Sequence, residues 1–171
     1  MTIGNGLELE LIKQQIAQLC AFSLGRQKIE ELQPSFSPLL IAKENRRIAE
    51  ALQAVIQFGP MPFYGIRDLS RSLHTVLRDG VCTPQELIQA ADHARGVSGA
   101  QSYLKSVELP CPEIHELADT MQPHLEVAQQ LERCFTPYGE VLDSASAELK
   151  QIRRSLHQTE AELVRESQRF V

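Results

Sequence analysis

Residues 146–171 read SAELKQIRRSLHQTEAELVRESQRFV, without a glycine or a proline. Leu149, Ile152, Leu156, Leu163 and Phe170 fall at heptad positions, and Thr159 and Glu166 fill the seam positions between them. A stripe repeating at three- and four-residue steps marks one face of a helix, and a seven-residue period marks a face prepared for another helix. Glu160, Glu162, Arg165 and Arg169 supply mixed charge beside it. Ser144 or Ser146 is the expected N-cap, since a hydroxyl there can accept from the first free backbone N–H groups. No Gly or Pro stops the pattern before Val171, so it is expected to continue in a longer protein.

Working back along the chain, the same period recurs. Leu7, Leu11, Ile12, Ile16 and Leu19 form one stripe. Ser23 to about Gln33 forms a second helix, ended by Pro34, which lacks an N–H and disfavours helix in the residue before it. Ser37-Pro38 opens a third, with Leu40, Ile41, Ile48, Leu52, Val55 and Ile56 expected on its buried face. Gly59-Pro60-Met61-Pro62-Phe63-Tyr64-Gly65 is a loop that no helix crosses. A short helix is expected from Asp68 to Arg78, placing Arg67, Arg71, His74 and Arg78 on one stripe. Thr83-Pro84-Gln85-Glu86 combines an N-cap, proline at the first helical position and a capping-box glutamate. That helix is expected to weaken at Arg95-Gly96-Val97-Ser98-Gly99, and Pro110-Cys111-Pro112 marks another connection. No run of alternating β-branched residues appears. The fold class expected is all-α, a multi-helix core followed by a long terminal helix.

The 171 residues leave room for one domain of ordinary size, 43% hydrophobic and 23% charged, with a formal net charge of −5. That sign disfavours a dedicated phosphate-neutralising module, although a local basic patch is compatible with it. Cys20, Cys82, Cys111 and Cys134 form no C-x-x-C pair, which fits reduced thiols in a cytoplasmic protein. The N-terminus lacks the basic and apolar regions of a signal peptide, and Gly4 and Gly6 read as a flexible lead-in. Apolar stretches fall far short of the ~20 residues a membrane span needs.

Chemistry is sparse. Neither the phosphate-cradling G-x-x-x-x-G-K-[ST] nor G-x-G-x-x-G is present, so no cofactor site and no catalytic residue is expected in this chain. Cys111, His115, His124 and Cys134 could be drawn as a metal site, but their spacing follows no zinc-finger pattern, and buried thiols with surface imidazoles fit better. Asp92 and His93 are adjacent on a helix and do not face one another. The Arg67, Arg71 and Arg78 stripe, with Arg153 and Arg154, could contact phosphates or an acidic partner; a solvated face balanced by Asp68 and Asp79 is the alternative.

Several stretches together resemble the MutS-type ATPases. They are Ser23-Leu24-Gly25-Arg26 with Ile29, Leu32 and Pro34, then Arg47 and Leu52. Gly65-Ile66-Arg67-Asp68-Leu69, Gly80-Val81, Pro84-x-Glu86-Leu87 and residues 139–153, GEVLDSASAELKQIR, are closer to one branch, the second bacterial MutS paralogue. The resemblance runs in order from about Leu7 to Leu163. It implies a helical core domain over 1–143 and a lever, the start of a coiled-coil arm, over 144–171. It gives Gly25 and Arg26 a part in helix packing, sets Arg67 and Asp68 after the loop, and makes Asp143, Ser144 and Ser146 a hinge. Full-length members resemble homodimeric ATP- and Mg-dependent hydrolases with a C-terminal Smr-type endonuclease domain. They are associated with DNA, through suppression of homologous recombination, and with RNA, through rescue of collided ribosomes. The alternatives to such a core-and-lever fragment are a free-standing helical adaptor that dimerises through its C-terminal heptads, and an enzyme built on the Cys/His set.

Overall fold

Thr83 does what its sequence context predicts. In the computed structural model, which describes residues 8–169, its Oγ1 accepts from the Glu86 N–H at 3.3 Å while Glu86 Oε2 accepts from the Thr83 N–H at 2.8 Å. This reciprocal cap starts a 23-residue helix, Pro84–Ser106, about which the molecule is arranged. In chain order the helices are α1 (Leu9–Gln18), α2 (Ser23–Glu30), α3 (Pro38–Phe58), α4 (Ser70–Val76), α5 (Pro84–Ser106), α6 (Pro112–Thr120), α7 (Leu125–Cys134) and α8 (Ala147–Arg169). A 3-10 turn, Asp143–Ala145, precedes α8. Among the described residues the only β pairing is an isolated bridge between Phe135 and Val141, so the protein is all-α. No described helix is long and apolar enough to cross a membrane. Leu7, Gly4, Gly6, Phe170 and Val171, which entered the sequence reading, lie outside the described residues.

Helix α5 packs against α6 on one side and α7 on another, and α3 reaches the core by packing on α6. Ala54, Leu104, Val107, Cys111, Ile114 and Ala118 form one buried cluster; Ala91, Ala94 and Ala128, with Leu131 against them, form a second. Alanine makes up the whole buried part of the second cluster and two of the six residues of the first, and helices that meet through such small residues approach closely. Polar side chains then fasten the elements. Gln101 Nε2 donates to the Ala118 and Met121 carbonyls, both at 2.9 Å, and Tyr103 Oη donates to Gly59 O at 2.6 Å.

Helix α5 does not weaken at residues 95–99. It runs through, and Gly96 is buried. A Cβ there would collide with the Tyr64 carbonyl oxygen and press on Ile66. Glycine in mid-helix costs about 0.5–1 kcal/mol relative to alanine, and here the missing side chain lets the 59–66 loop cross α5. Gly65 (φ 83°) contributes a left-handed residue at the same crossing, where a Cβ would meet Asp92 O at 2.5 Å. The Phe22 and Phe63 rings, 4.7 Å apart, join that loop to the start of α2.

Helix α3 presents a different face from the one expected. Leu40, Ile41, Ile48, Leu52, Val55 and Ile56 are all exposed, Ile56 by 72%. The side turned to α6 is instead the stripe Lys43, Arg47, Glu50 and Ala54. Glu50 Oε2 accepts from the Ile114 N–H at 3.0 Å and so caps α6 from outside. Glu113 gathers Lys43 Nζ at 3.6 Å, Arg46 Nη2 at 3.5 Å and Arg47 Nε at 3.5 Å. Carboxylates offered to a helix N-terminus, with cations held around them, set the rotation of α3. Its aliphatic stripe borders an apolar groove of about 490 Å³ beside Met61, Leu104 and Ile114.

Candidate lever junction at the base of the terminal helix

The residues named as hinge positions, Asp143, Ser144 and Ser146, lie in one stretch between α7 and α8, and each is engaged. Where α7 ends at Cys134, the chain folds into a tight loop. The Leu142 N–H donates to Cys134 O at 2.8 Å and the Thr136 N–H to Glu140 O at 2.8 Å. Thr136 Oγ1 accepts from the Tyr138 and Glu140 N–H groups at 3.3 and 3.1 Å. Gly139 takes φ 91°, a left-handed value that closes the turn without strain. Ser144 Oγ then donates to Arg133 O at 2.7 Å, satisfying a carbonyl left free in the last turn of α7. Ser146 Oγ accepts from the Leu149 N–H at 3.0 Å and caps α8, the role expected of it.

Arg153 completes the junction. From two turns inside α8 its Nη1 donates to Val141 O at 2.8 Å and to Asp143 Oδ1 at 2.7 Å. The guanidinium therefore holds both the loop and the 3-10 turn against the helix, adding two attachments where peptide connectivity alone would leave a swivel. The ion pair is about half exposed, with side chains 39% and 57% accessible. Its Coulomb part is worth at most about 1 kcal/mol; the geometric effect, which fixes the direction of α8, is the larger consequence.

The other end of this path is also fastened. Arg95 on α5 meets Glu132 on α7 in a two-pronged ion pair, Nε–Oε1 at 2.9 Å and Nη2–Oε2 at 2.7 Å. The hydrogen bonding of Arg95 holds the Glu132 carboxyl below the usual range. Beneath it Ala128 is fully buried against Ala91 and Ala94. A continuous set of contacts thus runs from α5 through α7 and the 3-10 turn into α8. Beyond the junction α8 has no extensive contact with other described elements, and Ile152, Leu156, Leu163 and Val164 are 55–61% exposed.

The basic residues named from sequence fall in two separate places. Arg71 and His74 lie on α4, but that helix spans only Ser70–Val76, so Arg67 precedes it and Arg78 follows it. The single four-residue helical stripe is not formed. All four are exposed. The Arg67 N–H donates to His93 Nδ1 at 3.1 Å, and Asp68 Oδ1 accepts from the Ser70 N–H at 2.9 Å, which with the Ser70 side chain holds its carboxyl below the usual range. Arg154 is exposed on α8, whereas Arg153 is occupied at the junction. On α2, Arg26 is exposed, and a Cβ on Gly25 would make ordinary contact with the Phe22 ring. His115 Nε2 lies 3.1 Å from Val107 O, and no three His, Cys, Asp or Glu side chains among the described residues are grouped to hold a metal ion. Sequence reasoning missed the Arg153 clasp and the Arg95–Glu132 pair; their ten- and 37-residue separations leave no local pattern.

No protein-family model matches the chain. It is similar to the endonuclease MutS2 of Geobacillus sp. (strain WCH70), with 32% identity over 158 residues, 91% of this chain and 20% of that protein. It is 28% identical over 159 residues to the endonuclease MutS2 of Shouchella clausii, and 28% identical over 160 residues to the putative endonuclease MutS2 of Bacillus subtilis (strain 168). In these two the match takes 91% and 92% of this chain and 20% of each relative. The chain therefore spans about one fifth of the length of the curated relatives it matches. Over some nine-tenths of its length this all-α chain is similar to a stretch of about one fifth of endonuclease MutS2 proteins.

Proposed function

We propose that the chain is the N-terminal core and lever region of a MutS2-like protein, with residues 1–143 as core and 144–171 as the start of the arm. It is non-catalytic itself; it transmits movement between an ATP- and Mg-dependent site and a nuclease domain elsewhere in the polypeptide. The clasped junction supports this most directly. A helix of 23 residues spans about 35 Å at 1.5 Å per residue, so a small rotation at a firmly held base becomes a displacement of several ångströms at the tip. A freely swivelling base would lose that motion. Similarity to endonuclease MutS2 proteins supports a nucleic-acid-related role for the whole, and we place it in the cytoplasm as a homodimer acting on DNA or ribosomes.

Two experiments test the reading. The open reading frame should continue past Val171 into further coiled coil and then G-x-x-x-x-G-K-[ST]; a stop codon at that point would contradict it. In the full-length protein, reversing Arg67, Arg71 and Arg78 to glutamate should weaken binding to duplex DNA or to ribosomes. Unchanged binding to both would make these arginines ordinary solvated surface.

A further inference from the structure

Behind its aliphatic seam, α8 carries a second face of a different kind. At about 100° per residue, Lys150, Arg154, His157, Ala161 and Arg165 fall on the side opposite Ile152, Leu156 and Leu163. Gln151, Gln158, Gln168 and Arg169 share the same sector, about 120° wide. All the carboxylates of the helix, Glu148, Glu160, Glu162 and Glu166, fall outside it. At its base this face forms one wall of a cleft of about 590 Å³, where Lys150, Arg153, Arg154 and His157 meet a single carboxylate, Asp143. We propose that the cleft takes phosphates of a nucleic-acid duplex, and that a phosphate seated there competes with Asp143 for Arg153 and so loosens the clasp on α8.

The chemistry of the face selects the occupant. A protein partner needs an apolar or aromatic centre to bury, and a single strand needs aromatic platforms for its bases. This sector offers neither, only cations, amides and alanine. A duplex backbone needs no more than that, since lysine, arginine and glutamine suffice to hold phosphates. The cations are also available. Lys150, Arg154, His157 and Arg165 are exposed, and among the described residues Lys150, Arg154 and Arg165 are in no ion pair, while His157 Nδ1 stands 3.4 Å from Glu160 Oε2. Glu140 borders the neighbouring hollow beside Lys150 and Arg153, and limits the approach from the loop side.

The coupling to the clasp follows from Arg153. Its Nη1 holds Val141 O and Asp143 Oδ1, and the side chain is 39% exposed beside Lys150 and Arg154. Asp143 and an incoming phosphate are two anions on one guanidinium, and arginine pairs with phosphate through two parallel N–H donors. Each therefore weakens the other, and the linkage is reciprocal: what loosens Asp143 must favour the duplex. The proposal rests on the nucleic-acid-related reading above and adds to it a place of contact and a consequence for the lever.

The test uses the whole chain and a fluorescein-labelled 20-base-pair duplex, read by anisotropy at low salt. Lys150→Gln with Arg154→Gln should weaken binding at least tenfold and lower the salt slope by about two, with the helical circular-dichroism signal unchanged. Asp143→Asn, which removes the competitor, should tighten binding about threefold. Electron-resonance labels at Gln130 and Ser155 should show a broader distance distribution once the duplex is bound. A chain that does not bind the duplex, equal binding of a single strand, or binding indifferent to Lys150 and Arg154 would overturn the site. Asp143→Asn binding no tighter, or a distribution unmoved by bound duplex, would overturn the coupling. None of these results touches the core-and-lever assignment, which falls only if the reading frame stops at Val171.

Discussion

Helices α5 and α8 are both 23 residues long, and they meet opposite fates. Helix α5 buries Ala91, Ala94, Gly96, Ala100 and Leu104, and is gripped by α6, α7 and a loop. Helix α8 carries the larger aliphatic residues in the more regular pattern, and leaves them in water. The difference teaches that periodic Leu and Ile mark a face prepared for contact without saying whether the same stretch of chain makes it. Close approach within this fold is marked instead by alanine and glycine. Helix α3 repeats the point within a single element, with Ala54 buried and Ile48, Leu52 and Ile56 exposed.

Substitutions that treat the two helices alike should therefore give unequal results, the largest at Gly96. Gly96→Val places a branched side chain into the Tyr64 carbonyl and Ile66, and should destabilise by about 3 kcal/mol through overpacking; Ala161→Val, exposed on α8, should stay within about 0.5 kcal/mol. Urea unfolding of both variants checks the contrast, and equal effects would break it. Next in size, Ala128→Leu in the α5–α7 contact should cost about 2 kcal/mol. Leu156→Ala on α8 should cost less than about 0.5 kcal/mol in the monomer, although leucine is the larger residue to lose.

A smaller effect reads the Arg95–Glu132 fastener by pH. Glu132 has its folded pKa lowered by Arg95. The stability it contributes is therefore fully present above the unfolded value, near ~4.3, and is lost as pH falls through the lower folded value. A double-mutant cycle of Arg95→Ala and Glu132→Ala should give a coupling of about 0.5–1 kcal/mol at pH 7, declining to nothing in strong acid. A coupling that survives protonation of Glu132 would show that packing, not charge, joins α5 to α7.

Much of the architecture was legible from the chain. The capping box at Thr83, the Ser146 cap, the absence of alternating strands and the long terminal pattern are all local signals, and local signals survive folding. What was not legible depended on residues far apart. The rotation of α3 follows from Glu50 and Glu113 meeting an N-terminus and a set of cations across more than sixty residues. Gly96 read as a helix breaker because the loop that crosses it lies thirty residues upstream. At the junction, Ser144 and Ser146 were identifiable as cap candidates by their position before the helix, whereas Asp143 was named only through the family resemblance. Arg153 read as a surface or phosphate-contacting arginine, since nothing in its immediate sequence marks Val141 O and Asp143 as its partners.

The central claim is that the base of α8 is clasped and its length is free. Pulsed electron-resonance distances between cysteine-independent labels at Gln130 on α7 and Gln158 on α8, both exposed, address it directly. The chain at low concentration should give one narrow distance distribution, and Arg153→Ala should broaden it while leaving urea stability within about 1 kcal/mol. A distribution already broad in the unaltered chain, or one that Arg153→Ala leaves narrow, would contradict the account.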